Sequence, residues 1–309
     1  MSAIVEPLSE EEGGLKVFDV SLVPAEPPAE LFYSHKPDIW HSARDLFRRS
    51  EVIFTLAERD IRAQYKQAVL GVAWALLTPL VSLALLYLLS KNVKAFNIGG
   101  QVPGLLTPYV GLVTWGLFGG ALSGGSNSLV ANKALMAKSH FPRECFPLSQ
   151  ILVSAFSSLM ATVPLIIMFA ANGFAPKPAS VWGPVYLLVE IPFMVGLVLL
   201  VSSVMVQMRD LQQILPIMMP LLMLLTVLKP LNTEKGHMLH AAFVHGPLRE
   251  IYCFLNPMAP IIDNMRSSVL LGFGPQLDTL VPGVIGAVTY LVVGFVVFKR
   301  LEVNFADLS

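Results

Sequence analysis

The chain has 309 residues, 54% of them hydrophobic and only 14% charged, against about 25% charged in soluble domains. The 21 basic residues balance the 21 acidic ones, so the basic excess of a duplex nucleic-acid binder is missing. The apolar content excludes disorder of the whole chain and places most of it in lipid. Two cysteines, Cys145 and Cys253, cannot build a disulfide framework, and no CxxC occurs.

Residues 1–35 read as a disordered, acidic cytoplasmic tail. Glu6, Glu10, Glu11, Glu12, Asp19, Glu26 and Glu30 face one base, Lys16, and Pro7, Pro24, Pro27 and Pro28 break any helix. No apolar core stands in the first 30 residues, so a secretory signal is not expected. Residues 36–66 hold an amphipathic helix, expected over 42–65. Phe47, Ile53, Phe54, Ala57 and Ile61 recur at helical spacing, with Arg44, Arg48, Glu51, Glu58 and Arg62 on another face. Such a helix is too charged to span, and is expected in the headgroup plane with Phe47 and Phe54 at the acyl boundary.

Six apolar stretches follow, at about 69–90, 104–123, 147–171, 181–206, 211–228 and 280–298. Each approaches the roughly 20 residues that a helix needs to cross hydrocarbon. Twelve Lys and Arg stand near the span ends on one side and seven on the other, which makes both termini cytoplasmic. Cys145 then lies inside and Cys253 outside. Between the last two spans, residues 248–255 are amphipathic and 257–272 are apolar with a few charges. Both are too short to span and read as re-entrant or interfacial helices near the outer face. The fold class is therefore an all-α membrane protein of six transmembrane helices, with an interface helix before them.

Gly116, Gly120 and Gly124 share one face of the second span, as Ser154, Ser158 and Thr162 do on the third. Small faces let helix backbones approach closely, here more readily within the chain than across a dimer. Pro79, Pro164, Pro192, Pro216 and Pro220 permit kinks inside spans.

Chemistry-bearing motifs are sparse. The nearest approach to a Walker A, Gly119 to Ser126, has Gly125 where the lysine belongs, and HExxH and GxSxG do not occur. His237, His240 and His245 cluster without a carboxylate or thiolate to complete a metal set, so no metal site is expected. Asp60, Glu144 and Asp210 each adjoin an arginine and are scattered. A membrane enzyme acting on lipid-linked sugars would gather such acids around a metal. Glu190 is the one carboxylate deep inside a span, where an acid is expensive: it is either a functional group or one bonded to a neighbouring helix.

Four stretches carry a resemblance. They are RDIRAQYKQAVLGVAWALLTP (Arg59 to Pro79), NSLVANKALMAKSHFPRECFPLS (Asn127 to Ser149), RDLQQILP (Arg209 to Pro216) and NPMAPIIDNMRSSVLLG (Asn256 to Gly272). Together they resemble the permease subunit of ABC-2-type exporters of polysaccharides, over residues 40–309. That family serves O-antigen, teichoic acid and actinobacterial galactan. The acidic extension departs from compact members and looks more like the galactan branch, whose cargo rides on polyprenyl diphosphate.

The resemblance implies a transport subunit rather than an enzyme, with residues 67–309 as the transmembrane domain. No cofactor binds this chain, because ATP and magnesium belong to a separate ATPase partner. A second copy would complete the channel. Arg59, Arg62, Tyr65 and Lys66 are placed to meet the lipid diphosphate on arrival. Trp74, Tyr87, Tyr109, Trp115 and Phe118 are channel candidates that can stack on sugar rings, with Glu190 beside them, although each aromatic also suits an interfacial belt. Asn132, Lys133, Lys138, Phe141, Pro142, Arg143 and Glu144 resemble the helix that docks on the ATPase. Tyr252, Asn256, Pro257, Pro260, Asp263 and Arg266 resemble the outer gate. A permease for drugs or lipids is the alternative, but such exporters lack this approach to the first span and the NPMAPI segment.

Overall fold

The computed structural model describes residues 50–66, 70–71, 73–90, 105–136, 142–208, 210–227 and 247–302. All of them belong to one unit, 39–309. The acidic tail, Phe47, Lys138, Phe141 and the His237–His245 cluster lie outside these residues.

The described residues are helical and contain no strand. Helix α1 is Ser50–Lys66 and α2 is Ala73–Ser90, parted by a break at Gly71, whose φ of +51° suits a residue without Cβ. Helix α3 is Leu106–Ala131, followed by a single turn at Lys133–Met136. Helix α4 is Cys145–Ala171. A 3-10 turn, Pro178–Trp182, leads into α5, Gly183–Gln207, and α6 is Leu211–Val227. Next come α7, Pro247–Leu255, and α8, Met258–Arg266, which passes into a π turn, Ser267–Leu271. Helix α9, Leu277–Glu302, is the last.

Three helical stretches are long and apolar enough to cross a membrane: Cys145–Ala171, Pro178–Gln207 and Leu277–Glu302. They match the third, fourth and sixth stretches expected. The apolar parts of α2 and α6 are shorter, at Ala73–Leu85 and Leu211–Val227. Helix α3 has the length, but its GGALSGGSNS run dilutes its apolarity.

That same run explains where the second stretch was misjudged. The helix continues to Ala131, past the expected end at 123, because Gly125, Ser126, Ser128 and Leu129 are buried by neighbouring helices. Ser128 satisfies its hydroxyl on Gly125 O at 2.6 Å. Helix α3 packs against α4, α5, α6 and α8 and is the centre of the bundle. Its polar small residues meet protein rather than lipid. Two of the three tandem glycines serve packing inside the chain: a Cβ on Gly120 would lie 2.9 Å from Ser154 Oγ, and one on Gly124 the same distance from Gln150 Oε1. Gly116 faces open space.

Helices α5 and α9 cross more closely still. A Cβ on Gly294 would sit 1.9 Å from the carbonyl oxygen of Gly196, and one on Gly196 would sit 2.2 Å from that of Tyr290. Backbone meets backbone there, the geometry that small residues make available in membranes.

Candidate functional site

At the end of the bundle where α4 begins, α1 keeps pace with α4. Leu56 shares a buried cluster with Cys145 and Phe146. One turn on, Asp60 accepts from Gln150 Nε2 at 2.6 Å. Tyr65 meets the Phe156 ring at 6.3 Å between centroids. The helix thus runs alongside the first half of α4, in the same direction, where the sequence suggested one lying flat across the span ends. Phe54, on its far side, is exposed.

The four entrance candidates fare differently. Arg59 is held by Asp60 and by Asn132 Oδ1 at 2.9 Å. Arg62 pairs with Glu58 one turn earlier. Lys66 is exposed, and Tyr65 is buried. Two of the three cations therefore face carboxylates, which reduces the local positive field.

Tyr65 opens onto a cavity of about 250 Å³ between α1, α2, α3 and α4. Thr78, Ser82, Tyr109, Trp115, Gly116, Ser157 and Ser158 line it as well. Tyr109 donates to Ala161 O at 3.1 Å and Ser158 to Val113 O at 3.1 Å, so two interhelical hydrogen bonds brace its wall. Hydroxyls beside aromatic faces are the chemistry that a sugar ring meets well: polar edges find donors and acceptors while the apolar face stacks. The cavity joins an entrance candidate, Tyr65, to two channel candidates, Tyr109 and Trp115.

The remaining channel candidates are not gathered there. Phe118 is buried and stacks on Phe193 at 5.3 Å, with Trp115 edge-on at 5.1 Å. It belongs to the bundle core. Trp74 and Tyr87 lie on exposed positions of α2, 44% and 47% accessible, so only they face outward from this chain. Glu190 is fully buried in α5, and neither carboxyl oxygen has a hydrogen-bond partner among the described residues.

Between α3 and α4, Lys133 is exposed and Asn132 caps α3 by donating to Ser128 O at 2.9 Å. Arg143 and Glu144 turn inward. Arg143 donates to the main-chain oxygen of Glu302 at 2.7 Å, and Glu144, fully buried, forms an ion pair with Lys299. Burial, with the nearby Glu302 carboxylate, pushes the Glu144 carboxyl above its ordinary range, against the pull of Lys299. Its side chain is thereby occupied inside the chain.

The gate candidates converge on the end of α6. Asn256 donates to Thr226 Oγ1 at 2.9 Å and lies 3.3 Å from the Tyr252 hydroxyl. Arg266 donates to Val227 O at 2.5 Å. Its guanidinium occupies the space beside Gly111, where a Cβ would lie 2.1 Å from Nη2. Burial pulls that guanidinium down to about 10, opposed by Asp263, so it keeps its charge at neutral pH. Pro257 caps α8, and Pro260 packs over Gly283 of α9. The π turn adds a further tie: Ser268 gives its proton to Phe273 O, so Tyr186 is the donor in their 2.7 Å contact.

Sequence reasoning missed the partners. Thr226, Lys299 and Glu302 anchor candidate residues from 30 to 159 positions away, and Gln150 anchors Asp60, the partner of Arg59. Only Lys299 carried a signal, as part of the basic inner end. Among the described residues, no three His, Cys, Asp or Glu side chains come together as a metal set would.

The helix order, inner loop and outer helix pair can now be set beside known proteins. The chain is 24% identical over 265 residues to the O-antigen export system permease protein RfbA of Myxococcus xanthus, covering 85% of this chain and 97% of that one. It is 24% identical over 260 residues to the protein of that name in Klebsiella pneumoniae, covering 84% and 95%. The family model described as ABC-2 type transporter matches residues 51–270, from α1 to the π turn, and the chain belongs to that membrane transporter family.

Proposed function

We propose that this chain is the membrane-spanning permease of an ATP-driven exporter that moves a lipid-linked polysaccharide out of the cytoplasm across the plasma membrane. The observation that carries this reading is its likeness, over nearly their full length, to O-antigen export permeases. The hydroxyl-and-aromatic cavity supports it, because a saccharide would find both kinds of contact there. ATP and magnesium are assigned to a separate ATPase subunit, which docks on the inner loop from Asn132 to Glu144. The working exporter holds two copies of each subunit. All six helices α2 to α6 and α9 span the bilayer, with both termini cytoplasmic and with α7 and α8 at the outer mouth as a gate.

Within that reading the cargo assigned is galactan on polyprenyl diphosphate, supported by the acidic extension before residue 36. The family match by itself names no cargo, so teichoic acid, O-antigen, lipid or drug are the alternatives that a test must separate. The purified chain should hydrolyse no ATP. With its ATPase partner in proteoliposomes it should, and lipid-linked galactan should raise the rate. Stimulation by another lipid-linked glycan would keep the permease and replace the cargo. Stimulation by apolar drugs alone would replace the polysaccharide reading.

A further inference from the structure

We propose that α9 is a rigid coupling rod, with Lys299 as the positioning residue that ties its inner end to the loop before α4. This rests on the permease reading and adds the element through which the two faces communicate.

At the inner end, the Lys299 ammonium lies between the Glu144 carboxylate and Glu302, the latter at 2.9 Å. Arg143 closes the set by donating to Glu302 O at 2.7 Å. Glu144 is fully buried and Lys299 nearly so, at 9% accessible. Phe298 packs beside them against Cys145 and Phe146. The first residues of α4 therefore cannot shift without carrying the last turn of α9.

At the other end, α9 grips the pair α7–α8 through backbone-close contacts. A Cβ on Gly286 would lie 2.2 Å from Phe254 O, and one on Gly283 would lie 2.8 Å from Pro260 Cγ. Tyr290 donates to Leu255 O at 3.0 Å, and Arg249 of α7 pairs with Asp278. Contacts this close transmit displacement rather than absorb it, because interiors are close-packed and barely compressible.

From Gly283 to Lys299 the rod measures about 24 Å at the helical rise. Midway, the Gly196–Gly294 crossing holds it to α5. That crossing is the closest backbone approach along the rod, flanked by the edge-on contact of the Phe193 and Tyr290 rings at 5.1 Å, and it serves as the pivot. Motion of the inner loop then has one continuous helix by which to reach α7 and α8. Coupling between the two ends is measurable through a native residue of α7, Cys253.

Cys253 of α7 is fully buried in a small cluster with Ala259 of α8, and its main-chain oxygen lies 3.9 Å from a Cβ placed on Gly283 of α9, so its labelling reports loosening of α7 from these neighbours. The complex of this chain with its ATPase, in nanodiscs, is treated with a membrane-impermeant maleimide with and without ATP. Modified Cys253 is quantified by mass spectrometry, and ATP hydrolysis is followed in the same sample. Turnover should speed Cys253 labelling about tenfold, within the usual range of coupling between sites. The paired variant Glu144→Gln/Lys299→Met removes both charges together and so leaves no buried ion alone. Compared with the parent at equal rates of ATP hydrolysis, it should lose the effect of ATP on labelling, while Lys299→Arg should retain the effect. ATP-dependent labelling that persists in the paired variant overturns the rod, as does its absence from the parent complex. Should the paired variant not assemble, Tyr290→Phe decides: it deletes only the hydroxyl bound to Leu255 O, and must weaken the ATP effect on labelling for the rod to stand. Whether the complex forms and hydrolyses ATP at all judges the permease reading separately.

Discussion

Asn132, at the end of α3, accepts a hydrogen bond from Arg59 of α1 at 2.9 Å, across 73 positions of sequence. Arg59 was read as part of the lipid entrance and Asn132 as part of the loop that meets the ATPase, and this contact joins the two. Its nature can be separated from generic attraction to anionic lipid. Arg59→Ala and Asn132→Ala should lower export to a similar degree at normal membrane abundance. The double variant should be no worse than either, because both remove one contact. Arg59→Lys should not restore export, since Lys lacks the planar fork that holds Asp60 and Asn132 together. Full activity with Lys would mean that charge alone matters.

The α5–α9 crossing sets a strict size limit. Gly196→Ala and Gly294→Ala each drive a methyl into main chain that belongs to another helix. Each should cost at least about 1–3 kcal/mol, the range for overpacking, and should lower the midpoint of thermal unfolding in detergent. Gly116→Ala, facing open space, should unfold at or above the parent temperature, since Ala favours a helix interior over Gly by about 0.5–1 kcal/mol.

The cavity gives a functional counterpart to that control. Gly116→Val narrows it without touching its hydrogen bonds and should reduce cargo-stimulated ATP hydrolysis in the complex while leaving basal hydrolysis intact. Trp115→Ala should do the same. Tyr109→Phe removes the bond to Ala161 O and should cost about 0.6 kcal/mol of stability, the mean for hydrogen bonds between membrane helices. Unchanged stimulation in Gly116→Val would remove the cavity from the cargo's path.

Cys253 supplies a pH dependence. Burial pushes its thiol from the usual 9.0 to about 11, helped by Asp263, Asp278 and Glu250 and opposed by Arg249. Because the folded value is raised, this group's contribution to stability is whole below pH 9 and is lost as pH climbs through 11. At pH 8 the folded protein carries about 100-fold less thiolate than the unfolded chain. Alkylation of Cys253 by iodoacetamide should be slower than in detergent-denatured protein by at least that factor, and should accelerate with pH up to about 11.

Apolar length made the helices of the bundle legible, since burial in lipid or protein leaves a run of residues that no neighbour needs to explain. Its failures share a cause. The stretch from Gly125 to Ala131 lies past the expected end of the span because Gly, Ser and Asn favour turns, yet it is helix, with Gly125 packed against Val198 of α5. Glu144 reads as a surface acid, and the cation that draws it inward stands 155 positions later, in a different helix. The amphipathic 248–255 and the apolar stretch from 257 do form short helices, at Pro247–Leu255 and Met258–Arg266. Their anchors, Thr226 and Val227, look like any residues at the end of a span. What the sequence withheld was which distant side chain each charge would meet.

The central claim, that this chain exports a lipid-linked polysaccharide, is tested most directly by where that lipid accumulates when the chain is lost. In cells depleted of this chain, the glycan on its polyprenyl carrier should build up and remain out of reach of a membrane-impermeant glycosidase until the cells are opened. Restoring the chain should deliver the glycan to the outer face, in step with ATP supply. Normal delivery in depleted cells, or a lipid pool unchanged in size and accessibility, would contradict it.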